Sequence, residues 1–365
     1  MKRRAFLAMA ASAPALLPLS RWASAQQLPF DPKPAGWRVF EVTTRVEVMK
    51  PAGGSKAWIP LPSIESDYQK LLGDTWSGNA SSTVVVTDGK YGARMLMAEW
   101  RDGEPAPVVE VTSRFTTRNR ATSLVLRNPA EKLDADTARF YMAATTYMPT
   151  GGIVRKTALE ATKGAKTDVE KARAIYEWIV DNTFRDPKTL GCGRGDVSVM
   201  LETGNLGGKC ADLNALYVAM ARSVGLPARD VYGVRVAKSA FGYRSLGAGS
   251  ETITKAQHCR AEVFLTGIGW VPVDPADVRK VVLEEKAQPT NLQDPVVPAV
   301  RAKLFGAWEM NWLAYNDAHD VKLPGSKGDA LAFLMYPQAE TGGKRVNPYS
   351  PDEFRYKITA KEITG

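Results

Sequence analysis

The stretch that most constrains this chain is Gly207–Arg229, GGKCADLNALYVAMARSVGLPAR. Two glycines lead into Cys210, and Leu213, Leu216, Tyr217, Met220 and Val224 then recur at the spacing of one helix face. Gly225 and Pro227 end the pattern, one residue tolerant of left-handed backbone and one unable to continue a helix. Cys210 therefore falls at the first turn. There the unpaired N–H groups and the positive end of the helix dipole favour thiolate over thiol.

A thiol nucleophile needs a base to take and return its proton, and a third group to orient that base. The chain has only two histidines. His258 opens an alternating segment, HCRAEVFLT, and Asp274 closes the next one, WVPVD, across a tight turn through Gly267 and Gly269. The expected roles are Cys210 as nucleophile, His258 as general acid/base and Asp274 as orienter. A symmetric turn at Gly267–Ile268 sets Ala261, not His258, opposite Asp274. That leaves a slip of three residues, about 10 Å along a strand, which a bulge, the bends at Pro272 and Pro275, or a third strand must absorb.

GGKCADLNALYVAMARSVGLPAR, HCRAEVFL and GWVPVDP, in this order and spacing, resemble the core of the transglutaminase-like superfamily over about residues 165–277. The resemblance implies an α+β fold, a papain-like core whose cysteine-bearing helix packs on an antiparallel sheet. It also implies a Cys-His-Asp triad that transfers an acyl group from a carboxamide to the thiol, then to water or to an amine. Cys259 and Arg260 depart from the family, which commonly carries alanine and then tryptophan after the histidine. Arg260 is accordingly expected to alter the charge of the cleft. The Cys210 N–H is one expected oxyanion donor, and no second donor can be placed.

Around this core the expected organisation is a leader at 1–25, a proline-rich linker at 26–36, an antiparallel β-sandwich-like domain at 37–130, the catalytic core at 134–280 and an extension at 281–365 packed on the core. WRVFEVTTRVEVM, KAWIPLP, SSTVVVT, ARMLMAEW and PVVEVTSRFTTR read as strands, with a short helix near Tyr68–Leu72. LDADTARFYMAATTY reads as a helix. Thr167 and Glu170 form a capping box for a second one running to about Asn182, and Val197–Leu201 a short third.

Lys2, Arg3 and Arg4, a mildly apolar stretch and Ala23-Ser24-Ala25 compose an export leader cut after Ala25. Arg3-Arg4-x-Phe6-Leu7 resembles the twin-arginine type, an ordinary secretory leader being the alternative. Either route places the protein in the periplasm or elsewhere outside the cytoplasm. Losing Lys2, Arg3, Arg4 and Arg21 with no acid lowers the net charge from +9 to +5. That is mildly basic, and no arginine–aromatic pattern points to nucleic acid. No apolar run is long enough to span a bilayer as a mature helix.

Three cysteines in an oxidising compartment leave at least one free thiol, with Cys210 the candidate; Cys192 and Cys259 either pair or stay reduced. No cofactor or metal is expected. His319 in NDAHD reads as a solvated loop residue, Asp212 as structural, and Arg222 and Arg229 as buried packing or ion-pairing residues. The expected function is an exported cysteine peptidase or amidase acting on peptide or protein substrates of the envelope. Cross-linking of amines and a non-catalytic scaffold are the alternatives.

Overall fold

Alternation governs the first third of the chain. In the computed structural model, which describes residues 29–126, 128 and 130–363, the strand Arg38–Val48 buries Phe40, Val42, Val46 and Val48 and exposes Arg45. This is the two-residue period of a strand with one face on a core. It lies between Phe354–Ile363 and Val108–Thr117, with Gln69–Gly78 beyond, in a four-stranded antiparallel sheet. A five-stranded antiparallel sheet runs Lys344–Arg345, Gln338–Thr341, Ser55–Pro60, Arg94–Trp100, Ser82–Thr87. Val46, Val109 and Phe354 of the first sheet share one apolar cluster with Ile59 and Leu96 of the second, so the sheets face each other in layers. Residues Tyr68–Leu72 are not a short helix. They open the strand Gln69–Gly78, where Leu72 drops out of register at a bulge and Gly73 takes φ +123°.

The helical part follows from caps and apolar periods. Thr167 accepts from the Glu170 N–H while Glu170 accepts from the Thr167 N–H, and Ala172, Ile175, Tyr176, Ile179 and Val180 are buried along Asp168–Asn182. Every residue of the helix Cys210–Ser223 is buried, beyond the single stripe that periodicity suggests. Ala211, Ala215, Ala219 and Ala221 occupy much of the rest of its surface. Their small side chains let Gly152–Ala161, Asp168–Asn182 and the strands Ala228–Arg235 and Gln257–Leu265 close around it.

The helix packs on a four-stranded antiparallel sheet ordered Gly269–Val273, Gln257–Leu265, Ala228–Arg235, Trp312–Asn316. The architecture is thus α+β, with several antiparallel sheets. The segment after residue 281 does more than rest on the core. It supplies strands to this sheet and to both layers of the N-terminal part. A further helix, Pro275–Glu284, begins immediately after Asp274, with Pro275 at its first position. Proline there loses no hydrogen bond, because that N–H is unpaired in any helix.

Candidate active site

Cys210 is the first residue of its helix, held there by a loop that the helix itself clamps. The Asp212 carboxylate accepts from the Lys209 N–H at 2.9 Å through Oδ2, and from the Arg194 and Gly195 N–H groups at 2.9 Å through Oδ1. The Ala211 N–H donates to the Cys192 carbonyl at 2.9 Å. Gly193 sits at φ +94° with Asp212 where a Cβ would project. Gly103 has a similar φ of +87° but open space around it. Gly193→Ala is therefore expected to cost about 1–3 kcal/mol more than Gly103→Ala, backbone strain being common to both. Urea unfolding of the two variants measures the difference, and equal losses would show that the clamp is slack.

Cys192, Cys210 and Cys259 are all free and buried, and their sulfurs converge. Hydrogen bonds with the Cys192 and Cys259 thiols, and then the His258 imidazole, hold the Cys210 thiol well below its ordinary range against the effect of burial. The bond to Cys210 and burial push Cys192 up, and burial followed by the same sulfur pushes Cys259 up. These directions favour a charge on Cys210 over its two neighbours, whose thiols are weak donors. The Cys192 thiol also lies 3.3 Å from the Gln257 carbonyl.

The hairpin bearing His258 and Asp274 pairs Leu265 with Gly269 and Ala261 with Val273. Continued one step, this register sets Arg260 opposite Asp274, so the slip to His258 is two residues and not three. A two-residue offset keeps both side chains on one face as diagonal neighbours, roughly 7–8 Å apart at the backbone. Asp274 has by then left the strand. Its N–H donates to the Leu304 carbonyl at 2.8 Å, and Oδ1 caps the helix Pro275–Glu284 by accepting from the Asp277 N–H at 3.0 Å. Oδ2 meets His258 Nε2 at 2.7 Å, leaving Nδ1 as the other ring nitrogen.

Asp277 Oδ2 lies 3.4 Å from the same Nε2, and Arg235 holds Asp277 with two bonds of 2.6 and 2.7 Å. Burial works to lower the His258 pKa, but the Asp277 and Asp274 charges outweigh it and raise it to about 9. Burial and the Asp277 charge raise Asp274. Arg235, and then His258, overcome burial to hold Asp277 well below the carboxylate range. Ligand-type atoms of His258, Asp274 and Asp277 lie within 4.8 Å of one another. Their charge and lone pairs are nevertheless engaged, by Arg235 on Asp277 and by the His258–Asp274 bond.

Cys210 and His258 line one cavity of about 680 Å³, together with Cys192 and Gln257. Tyr336, Tyr349, Phe354 and Tyr356 of the C-terminal segment form an aromatic wall. Arg260 does not line it. Arg260 is buried behind Asp274, 3.6 Å from Oδ2, stacked over Trp308 and Trp312 and donating to the Glu309 carbonyl. Its charge acts on the carboxylate and not on the cleft. His319 is likewise no solvated loop residue, being buried on a short strand with Nδ1 3.2 Å from the Tyr232 hydroxyl.

Sequence reasoning missed Asp277 and Arg235. Asp277 was findable, since Asp274-Pro275-x-Asp277 has the form of a helix start with an acid in its first turn. Arg235 carries no local signal. Asn214, also missed, donates to the Cys259 carbonyl at 2.8 Å and so ties the cysteine helix to the histidine strand.

A cysteine opening a buried helix, beside an antiparallel sheet that carries a histidine, is the arrangement of the papain-like, cysteine-protease type. Residues 155–275 match the family model of the transglutaminase-like superfamily. The chain is 35% identical over 342 residues to an uncharacterized protein of Haemophilus influenzae, covering 89% of this chain and 92% of that one. The protein belongs to the transglutaminase-like superfamily. Its fold is similar to that of a candidate cysteine protease from Cytophaga hutchinsonii, with a TM-score of 0.56, 12% identity, and coverage of 91% of this chain and 93% of the other. The periplasmic domain of TgpA from Pseudomonas aeruginosa matches more weakly, with a TM-score of 0.33 and 14% identity over 67% of this chain and 91% of that one.

Proposed function

We propose that the protein is an exported cysteine hydrolase of peptide or amide bonds, with Cys210 as nucleophile, His258 as general acid/base and Asp274 as orienter. The observation that carries this reading is the 2.7 Å contact of His258 Nε2 with Asp274, in a cavity that His258 shares with Cys210 at the start of its helix. The thiolate attacks the substrate carbonyl carbon, and the negative charge passes to the carbonyl oxygen near the Cys210 N–H, which as the first of a helix has no partner within it. His258 gives its Nδ1 proton to the departing amine as the C–N bond breaks, leaving a thioester. Water then adds to the thioester, giving a proton to His258 and expelling the thiolate as the free acid forms.

Export rests on the leader at residues 1–25, which lies outside the described residues. Among the described residues no helix is long and apolar enough to cross a membrane. The substrate would be a peptide or protein of the envelope.

Cys210, with its pKa depressed, is expected to react with iodoacetamide at a nearly constant rate from pH 8 down to pH 6. An ordinary thiol of pKa about 8.5 slows by roughly 100-fold over that range. Peptide mapping should locate the label at Cys210, and Cys210→Ala should abolish both fast labelling and peptide cleavage. Labelling that instead falls with pH like an ordinary thiol would remove the nucleophile from this reading.

A further inference from the structure

Five basic side chains line the cavity in front of Cys210, namely Arg185, Lys209, Arg235, Lys255 and Lys280, and among the described residues no aspartate or glutamate does. Two of them are neutralised from behind, Arg235 by Asp277 and Arg185 by Glu284. Lys280 has Glu284 at 3.8 Å, a weak contact shared with Arg185. Burial and the neighbouring Arg235 push its pKa down to about 8, so the ammonium is under-compensated where it stands. Lys209, half-buried, and Lys255, exposed, have no carboxylate within ion-pair distance among the described residues.

With Arg235 and Arg185 paired to carboxylates, the lysines are the excess positive charge of the cavity. A concave site with low-dielectric walls focuses such charge far more than the modest net charge of the whole chain suggests. The lining also includes Tyr336, Tyr349, Phe354 and Tyr356, so the cavity combines basic side chains with aromatic ones.

We propose that the substrate is an acidic peptide, whose carboxylates are held by Lys209, Lys255 and Lys280 while its scissile carbonyl reaches Cys210. This specificity rests on the hydrolase reading, but its test does not require turnover. The full chain carrying Cys210→Ala is titrated, with fluorescence anisotropy as the readout, with a rhodamine-labelled peptide containing two glutamates and with its glutamine counterpart. At about 50 mM salt the glutamate peptide is expected to bind at least roughly tenfold more tightly, and the gap should shrink severalfold by about 0.5 M salt. Lys255→Met and Lys280→Met, introduced separately, should each remove several-fold of that preference. Lys163→Met, an exposed lysine away from the cavity, should leave it unchanged.

Equal affinity for the two peptides would overturn the proposal. So would a preference that survives both cavity variants, since Lys255 and Lys280 would then not hold the carboxylates. Cleavage by the wild-type chain separates the two readings. Acid-selective binding without cleavage leaves the specificity standing and sinks the hydrolase, whereas cleavage of both peptides with equal affinity does the reverse.

Discussion

On the proposed hydrolase reading, Asp274→Asn is expected to lower kcat/KM on a cleaved peptide by about 10³-fold while preserving the cap of the helix that follows it. The two halves of this expectation come from the two oxygens. Oδ1 caps the helix Pro275–Glu284, and asparagine caps almost as well as aspartate, so the helix start should survive the substitution. Oδ2 faces His258 Nε2, and an amide there can present its N–H and favour the wrong tautomer. Comparable changes in hydrolases with a buried aspartate behind histidine cost about 10⁴-fold. The smaller figure is expected here because Asp277, held ionised by Arg235, remains 3.4 Å from Nε2 and still stabilises the imidazolium. NMR titration should show the His258 pKa falling from about 9. A variant within about tenfold of wild type, with an unmoved His258, would assign Asp274 to the cap alone.

Glu262→Gln is the substitution expected to cost most in stability, about 3–5 kcal/mol. Glu262 is fully buried, with Oε1 on Arg120 and Oε2 accepting from Arg229 at 2.6 Å. Arg229 continues to Asp317 at 3.2 Å and stacks over Trp270, while Arg120 donates to the Trp270 carbonyl at 2.7 Å. The carboxylate thus sits between two guanidinium groups, one following the N-terminal strands and one in the core sheet. A neutral amide would leave them facing each other with little solvent to screen them.

Burial raises the Glu262 pKa, but Arg229 and Arg120 outweigh it and the net shift is downward. A carboxyl whose folded pKa lies below its unfolded value stabilises the protein above the unfolded value. That contribution is lost as pH falls through the folded one. In urea melts the gap between wild type and Glu262→Gln should therefore be flat near neutrality and narrow in acid. A gap that ignores pH would trace the loss to packing and not to charge.

Some of this architecture is local and could be read directly. The capping box at Thr167 and Glu170, the alternation of Arg38–Val48 and the stop at Gly225, with φ +87°, each involve residues a few positions apart. Such neighbours select backbone geometry before any tertiary contact forms. The placement of Cys210 at a helix start is of the same kind. So is the start of the helix after Asp274, where Pro275 and Asp277 follow a capping aspartate that also ends a strand pattern.

Arg260 and His319 were misjudged for the opposite reason. Neighbours in sequence do not say which side of a sheet faces water, and both residues lie under distant aromatic rings, Trp308 and Trp312 for one and Tyr91 and Tyr232 for the other.

The residue order by itself determined the family, the helix that presents a thiol, and the strand pair carrying an imidazole and an acid, because hydrophobic period, caps and turn residues act over a few positions. Tertiary structure alone decided that Cys192 and Cys259 would flank the Cys210 sulfur, that Asp277 and Arg235 would stand behind His258, and that the chain's last strand would pair with its first. Those contacts join segments tens to hundreds of residues apart. They exist only where burial of the intervening core brings the segments together, since charge and sulfur act through distance in space.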